Sequence, residues 1–379
     1  MTQDNINPAF NDDGDPEVQL LEVEIGNHEP GALPTPTQPS EPENRLLKVH
    51  RVNIKNDMMN AFKDPSIVNC DLTIVIIDSR GNEEKGAGVG VVRDALSLFW
   101  QEVYDSLFIG ESERVPFIRH DYSRSEWEAI ARVLVKGYLA CQYLPVLMSK
   151  TFLSYVLFGE SSITGPILIQ SFMKYISADE RRIVGQCLSA ELNFESEEEY
   201  NELLEILGNF DCRTRITKEN APAVIEEIAH KEIIQKTQYV TDSWKNILLV
   251  LRESFPTLES LTERYEKVTP SVNKITSCIQ SDPQSDAERE CLKFLKRYIR
   301  GLDTPQKLST FLRFISGSEL MLFEGIQVTF IELSGFGRRP IARTCNALLE
   351  LPSTYQSFPE LREEFNHVLS SDNWEIDII

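Results

Sequence analysis

Gly337-Arg338-Arg339-Pro340-Ile341-Ala342-Arg343-Thr344-Cys345-Asn346 runs on into Leu348-Leu349-Glu350-Leu351-Pro352, and this stretch sets Cys345 apart from the other six cysteines of the chain. Cys70, Cys141, Cys187, Cys212, Cys278 and Cys291 lie in or beside periodic apolar segments, where a thiol is ordinarily a small buried hydrophobe. Cys345 follows a Gly/Arg/Pro loop and has three arginines within seven residues, Arg338, Arg339 and Arg343. Cationic neighbours favour thiolate over thiol, and thiolate is the nucleophile. The local reading leaves two roles open, a reactive thiol and an inert one. No two cysteines form a CxxC pair and the five histidines are scattered, so neither a metal site nor a cofactor is expected.

Working outward, Ile326-Gln327-Val328-Thr329-Phe330 alternates apolar and polar as a half-buried strand does, and Ser334 to Pro340 breaks it. The last helix is expected to start on a capping box, Ser357 to Glu360, and to bury Leu361, Phe365, Val368 and Leu369. Ser281-Asp282-Pro283-Gln284-Ser285-Asp286 has linker composition. From about 177 to 280 the chain reads as amphipathic helix with charged outer faces. Trp127, Ile130, Ala131, Leu134, Val135 and Tyr138 recur at three- and four-residue steps, and a second helix is expected from Pro145 to Phe158, closed by Gly159. The pattern turns helical from Arg93. Before it, Asp71 to Asp78 is short, β-branched and apolar, a buried strand. The turn between them, Gly86-Ala87-Gly88-Val89-Gly90, lacks the phosphate-binding fingerprint. Residues 1–45 read as a disordered acidic, Pro-rich arm with one apolar island, Leu20 to Ile25. The expected fold class is α+β: a large, mostly helical part over 46–282 and a small α/β part over 283–379.

The net charge of -21 argues against a nucleic-acid backbone and against an anionic membrane surface, both of which need clustered Lys and Arg. Its first effect is solubility; attraction to a basic protein partner is the sharper alternative. No apolar run is long enough to span a bilayer, and the start of the chain lacks a signal-peptide pattern, so a cytoplasmic or nuclear protein is expected.

Arg339-Pro340-Ile341-Ala342-Arg343-Thr344-Cys345, then Leu349, Leu351-Pro352 and Tyr355, resembles the catalytic loop of HECT ubiquitin ligases, Leu-Pro-x-Ala-x-Thr-Cys-Phe-Asn followed by Leu-x-Leu-Pro and Tyr. Phe314-Ile315-Ser316-Gly317-Ser318 is similar to the family's Phe-Val-Thr-Gly-Ser. Arg51, Ile54 and Asp57 resemble its opening helix, and Gly90 with Arg93-Asp94 its Gly-Gly-x-x-Arg-Glu turn. The resemblance runs from about residue 46 to 379. It departs at Asn346-Ala347, where the family has Phe-Asn, at Val89 for the first turn glycine, at Ala87 for the acid before it, and by one extra residue between Pro352 and Tyr355.

The resemblance implies a bilobal catalytic domain whose N-lobe, 46–282, binds a ubiquitin-conjugating enzyme and whose C-lobe, 283–379, presents Cys345, the two joined by a hinge near Asp282–Asp286. Cys345 would accept ubiquitin as a thioester and pass it to a lysine of a protein substrate. Arg343 and Thr344 are candidate supports of the loop, and Ile376, with Trp374 near it, a candidate tail contact. Glu350, Glu375 and Asp377 are the acids near Cys345 in sequence, and none identifies itself as the base for the lysine step. Two alternatives stand beside this reading: a catalytically degenerate scaffold of the same fold that binds ubiquitin or conjugating enzymes, and a cysteine hydrolase, for which His367 is the histidine nearby in sequence.

Overall fold

The computed structural model describes residues 44–370 apart from Ala87. Positions 1–43 of the expected arm, its apolar island, and the tail residues Trp374, Glu375, Ile376 and Asp377 lie outside the described residues.

The chain is α+β. Strand β1 (Asn44–His50) leads through a 3-10 turn into α1 (Ile54–Phe62), and β2 (Asp71–Ile77) returns parallel to β1 over its whole length, from Asn44↔Asp71 to His50↔Ile77. A parallel pair needs such a crossover, and α1 supplies it, burying Ile54, Met58, Met59 and Phe62 beneath the strands. The expected strand at 71–78 is present, and β1 includes Asn44 and Arg45 ahead of Leu46. Helix α2 (Val89–Leu107) starts four residues earlier than Arg93, because Gly88 ends the turn and apolar residues follow it at once. A short hairpin, β3 (Phe108–Ile109) with β4 (Val115–Pro116), leads to α3 (Arg124–Cys141), which buries Trp127, Ile130, Ala131, Leu134 and Val135 as the spacing requires.

Helix α4 (Lys150–Phe158) starts five residues later than Pro145, since the Ser149 hydroxyl accepts the Phe152 N–H at 3.2 Å and fixes the cap there. Helix α5 (Gly165–Tyr175) precedes the expected helical run, which comprises α6 (Ala178–Leu188), α7 (Glu197–Asn209), α8 (Ala221–His230), α9 (Gln238–Leu248), α10 (Leu258–Val268) and α11 (Val272–Ser277). Trp244 of α9 is fully buried and donates its indole N–H to the Trp127 carbonyl at 2.8 Å, which ties α9 to α3.

The remaining described elements are β5 (Ile279–Gln280), α12 (Asp286–Arg300), α13 (Pro305–Ser316), β6 (Ile326–Ile331), β7 (Ile341–Arg343), β8 (Leu348–Pro352) and α14 (Phe358–Ser370). The strands form one sheet in the order β5-β6-β8-β7, with β7 antiparallel to β8 and the other pairs parallel. On α14, Leu361 and Phe365 are buried while Val368 and Leu369 are half-buried. The Glu360 carboxylate accepts the Gln356 N–H at 3.0 Å, one residue before the expected capping partner.

Two hydrophobic cores divide the described residues. The first runs from Val49 to Val268, and the second from Ile275 to Phe365 with Val272 packed on it. The change of core falls between Val268 and Val272, about ten residues before the Pro/Ser/Asp stretch read as a linker. Ser281–Gln284 of that stretch carry no regular structure and run between β5 and α12, while its end caps the helix, the Ser285 hydroxyl taking the Glu288 N–H at 3.2 Å. In return the Glu288 carboxylate takes the Ser285 N–H at 3.3 Å. Caps and linkers draw on the same residue types, so composition alone does not separate them. One later segment crosses back. Leu320 is buried in the first core, and the Met321 N–H donates to the Val268 carbonyl at 2.9 Å.

Candidate active site

Cys345 lies in the four-residue loop Thr344–Ala347 that joins β7 to β8, whose last pair is Arg343↔Leu348. Loops of this length are built around a tight turn. Here the Asn346 N–H closes it onto the Arg343 carbonyl at 3.3 Å, and the Ala347 carbonyl takes the Gln327 N–H of β6 at 3.0 Å. The ends of the loop are buried and its tip is exposed. Ala342, Thr344 and Ala347 are buried, while Cys345 and Asn346 are exposed. Ala347 turns the chain with φ +49°, a conformation that costs an L-residue about 1–2 kcal/mol.

Of the seven cysteines, only Cys345 is exposed. Burial pushes the Cys141 and Cys187 thiols up to about 11, and raises those of Cys278 and Cys291 as well. These groups have little access to a partner and little thiolate character.

The loop faces the first turn of α2 across the seam between the cores. A Cβ on Gly88 would stand 3.7 Å from the Cys345 sulfur. A Cβ on Gly90 would stand 2.4 Å from Thr344 Oγ1 and 3.3 Å from the Cys345 backbone nitrogen, so only glycine permits this approach. Gly88 has φ +86° and ψ -163°, a region open essentially to glycine, and gives α2 no side-chain cap. The first turn of a helix carries outward-pointing N–H groups and a partial positive charge, an environment that favours negative charge beside it. Thr344 Oγ1 is buried there without a hydrogen-bond partner among the described residues.

Two of the arginines close in sequence make ion pairs with carboxylates. Arg343 Nε donates to Glu350 across the hairpin at 2.9 Å. Arg338 donates to Glu364 at 2.7 Å and to Glu360 at 3.1 Å on α14, with its guanidinium 4.7 Å from the centre of the Tyr355 ring. Burial works against the Arg338 charge, but these carboxylates hold its pKa above the ordinary value. Arg338 and Glu350 are therefore structural ties, and Arg343 is engaged beside the site. Thr344 is the loop residue buried against Gly90. His367 is exposed on α14, and Ile376 lies outside the described residues.

The seam itself holds a buried ionic chain that the sequence did not announce. Asp94 of α2 is buried and accepts Arg51 at 2.9 Å and Arg313 of α13 at 2.8 Å, and Arg51 also grips Glu84 through two hydrogen bonds of 2.7 and 2.6 Å. Burial opposes the Arg51 charge, yet Glu84 and Asp94 outweigh it and raise its pKa well above the usual range. Alongside, the Tyr143 hydroxyl donates to Glu319, and Arg93 donates to the Leu322 carbonyl at 3.3 Å. Arg51, Asp94 and the Gly-x-Gly run were visible as residue types, but nothing in their spacing pointed to α13.

Among the described residues no group of His, Cys, Asp and Glu is arranged to hold a metal ion, and no helix is long and apolar enough to cross a membrane. Comparison of the chain with protein-family models and with curated proteins returns no match to either.

Proposed function

We propose that this protein is a ubiquitin transferase of the HECT type, acting through a thioester on Cys345 and working with a conjugating enzyme in the cytosol or nucleus. One observation carries the reading. The single exposed thiol is held outward on a tight turn whose neighbouring threonine is seated in a glycine cradle at the start of a long helix.

The chemistry is two acyl transfers. Cys345 thiolate attacks the carbonyl of the thioester on the conjugating enzyme, a new C–S bond forms, and the conjugating enzyme's thiolate leaves with its electron pair. A neutral lysine amine of the substrate then attacks the Cys345 thioester, the C–N bond forms, Cys345 leaves as thiolate, and the amine proton passes to solvent or a nearby base. Exchange between thioesters is close to balanced in energy, so the demand on the protein is placement of the reacting atoms. The first core would receive the conjugating enzyme and the second would carry Cys345, turning about Thr269–Ser271 where the cores change.

A second reading, a binding scaffold of the same fold without turnover, is favoured by the loop positions Asn346 and Ala347. Ala347 holds a left-handed conformation that glycine or asparagine adopts more readily. A non-reducing gel after incubation with ubiquitin, activating enzyme and a panel of conjugating enzymes separates the two. A ubiquitin adduct that is lost with reductant and with Cys345→Ala supports the transferase. A folded protein that captures ubiquitin or a conjugating enzyme without forming the adduct supports the scaffold.

A further inference from the structure

The second core carries a cationic surface that stands out in a chain of net charge -21. Lys296, Arg297 and Arg300 occupy the last turns of α12, and Arg362 stands beside them on α14. Arg297, Arg300 and Arg362 are exposed and Lys296 is half-buried. None of their side chains forms an ion pair or a side-chain hydrogen bond among the described residues. The two helices meet around aromatic rings: the Arg297 guanidinium lies 4.1 Å and that of Arg362 6.0 Å from the centre of the Phe358 ring, with Phe294 6.4 Å from the same ring.

Helix electrostatics explains part of this arrangement. Cations in the last turn of α12 complement its negative end. Arg362 does not fit that account, because it sits in the second turn of α14, towards the positive end. Two guanidiniums held over one ring are pre-ordered, and their N–H edges are left for a planar acceptor. Carboxylates meet that geometry with paired hydrogen bonds. The patch is also short. From Lys296 to Arg300 is about 6 Å of helix, the span of about two extended residues, so a few consecutive acidic side chains cover it. A nucleic-acid backbone would extend well beyond the patch, in a chain whose net charge is -21.

We infer that the α12–α14 face around Phe358 is a docking site for a short acidic peptide segment of a partner protein, held by Arg297, Arg362, Arg300 and Lys296. Binding there requires no acyl transfer, so it stands or falls separately from the chemistry of Cys345.

The test uses the full chain and a fluorescein-labelled peptide carrying a run of glutamates, followed by fluorescence anisotropy at low ionic strength. Arg297→Glu with Arg362→Glu is expected to weaken binding by about tenfold or more, as is raising the salt. The same peptide with glutamines should bind no better than that variant. Arg252→Glu is the control, since Arg252 is an exposed arginine set over Phe158 at 5.8 Å on the first core, and its change should leave binding intact. Circular dichroism establishes that the double variant is folded. Equal binding by the folded double variant, equal binding of the glutamine peptide, or no binding to the native chain overturns the assignment.

Discussion

Arg313 donates from Nε at 2.9 Å and from Nη2 at 2.8 Å to the same carboxylate oxygen of Asp94, a residue 219 positions earlier in the chain. The other oxygen of Asp94 takes Arg51 at 2.9 Å. One buried carboxylate thus holds two guanidiniums on opposite sides of the seam, and it lies one helical turn beyond the Gly90 that cradles the Cys345 loop. Asp94→Ala leaves both cations facing each other with less solvent than they need, at a cost of about 3 kcal/mol. Urea unfolding should show that loss. Arg182→Ala, which breaks the exposed Arg182–Glu202 pair, should stay within about 0.5 kcal/mol of the native protein. Equal effects from the two substitutions would remove Asp94 as the clasp of the seam.

Much of the fold follows from periodicity. Trp127, Ile130 and Leu134 face one way because a helix repeats every 3.6 residues, and Ile74 and Ile76 do so because a strand repeats every two. β1 was not recognisable as a strand, since Leu46 is exposed and the segment becomes a strand only by pairing with β2. β7 is three residues long and depends on β8 in the same way. The candidate site divides along that line. Cys345 stood out by its local company, whereas its neighbours Gly88 and Gly90 come from tertiary approach, which no local pattern records. The carboxylate partners of Arg338 and Arg343, namely Glu360, Glu364 and Glu350, are set in the same way by α14 and by the hairpin.

Glu126 should contribute to acid sensitivity. Its carboxylate takes Lys63 at 2.6 Å and the Ser123 N–H at 3.0 Å, and these contacts, Lys63 first, lower its pKa from 4.5 to about 2. A carboxyl with a depressed folded pKa stabilises fully above its unfolded value, and that contribution fades as pH falls from about 4.5 to about 2. Because solvent screens the site, the contribution is about 1 kcal/mol. Glu126→Gln should therefore lower stability at neutral pH by about that amount and bring no penalty at pH near 2. A constant difference between the two proteins across that range would contradict the assignment.

Ala347 joins backbone strain to packing. Ala347→Gly relieves about 1–2 kcal/mol of left-handed strain, but removes a buried methyl worth about 0.8 kcal/mol and frees the unfolded chain by a similar amount. The changes nearly cancel, and thermal stability should move by less than about 1 kcal/mol. Ala347→Val has no such relief, because a β-branched residue at φ +49° is a true outlier, and its side chain must also enter the second core. A loss of about 3 kcal/mol is expected. Tolerance of valine would mean that the turn relaxes out of the left-handed conformation.

Gly90 gives the most direct test of how the loop is seated. Gly to Ala inside a helix ordinarily gains about 1 kcal/mol, so Gly90→Ala should leave the first core at least as stable as before. Its new methyl would meet Thr344 Oγ1 at 2.4 Å and Thr344 Cβ at 3.2 Å, forcing the loop away from α2. Displacements of this size in a reacting group cost about a hundredfold in rate, so the proposed transfer of ubiquitin through Cys345 should fall by at least about tenfold while the melting temperature holds. Thr344→Ala removes the hydroxyl but not the Cβ, so combining it with Gly90→Ala should restore part of the lost transfer. A double-mutant cycle measures that recovery as coupling between residues 90 and 344. Full transfer by Gly90→Ala alone would show that the loop works away from α2. Parallel loss of transfer and stability would show that the glycine serves folding instead of placement.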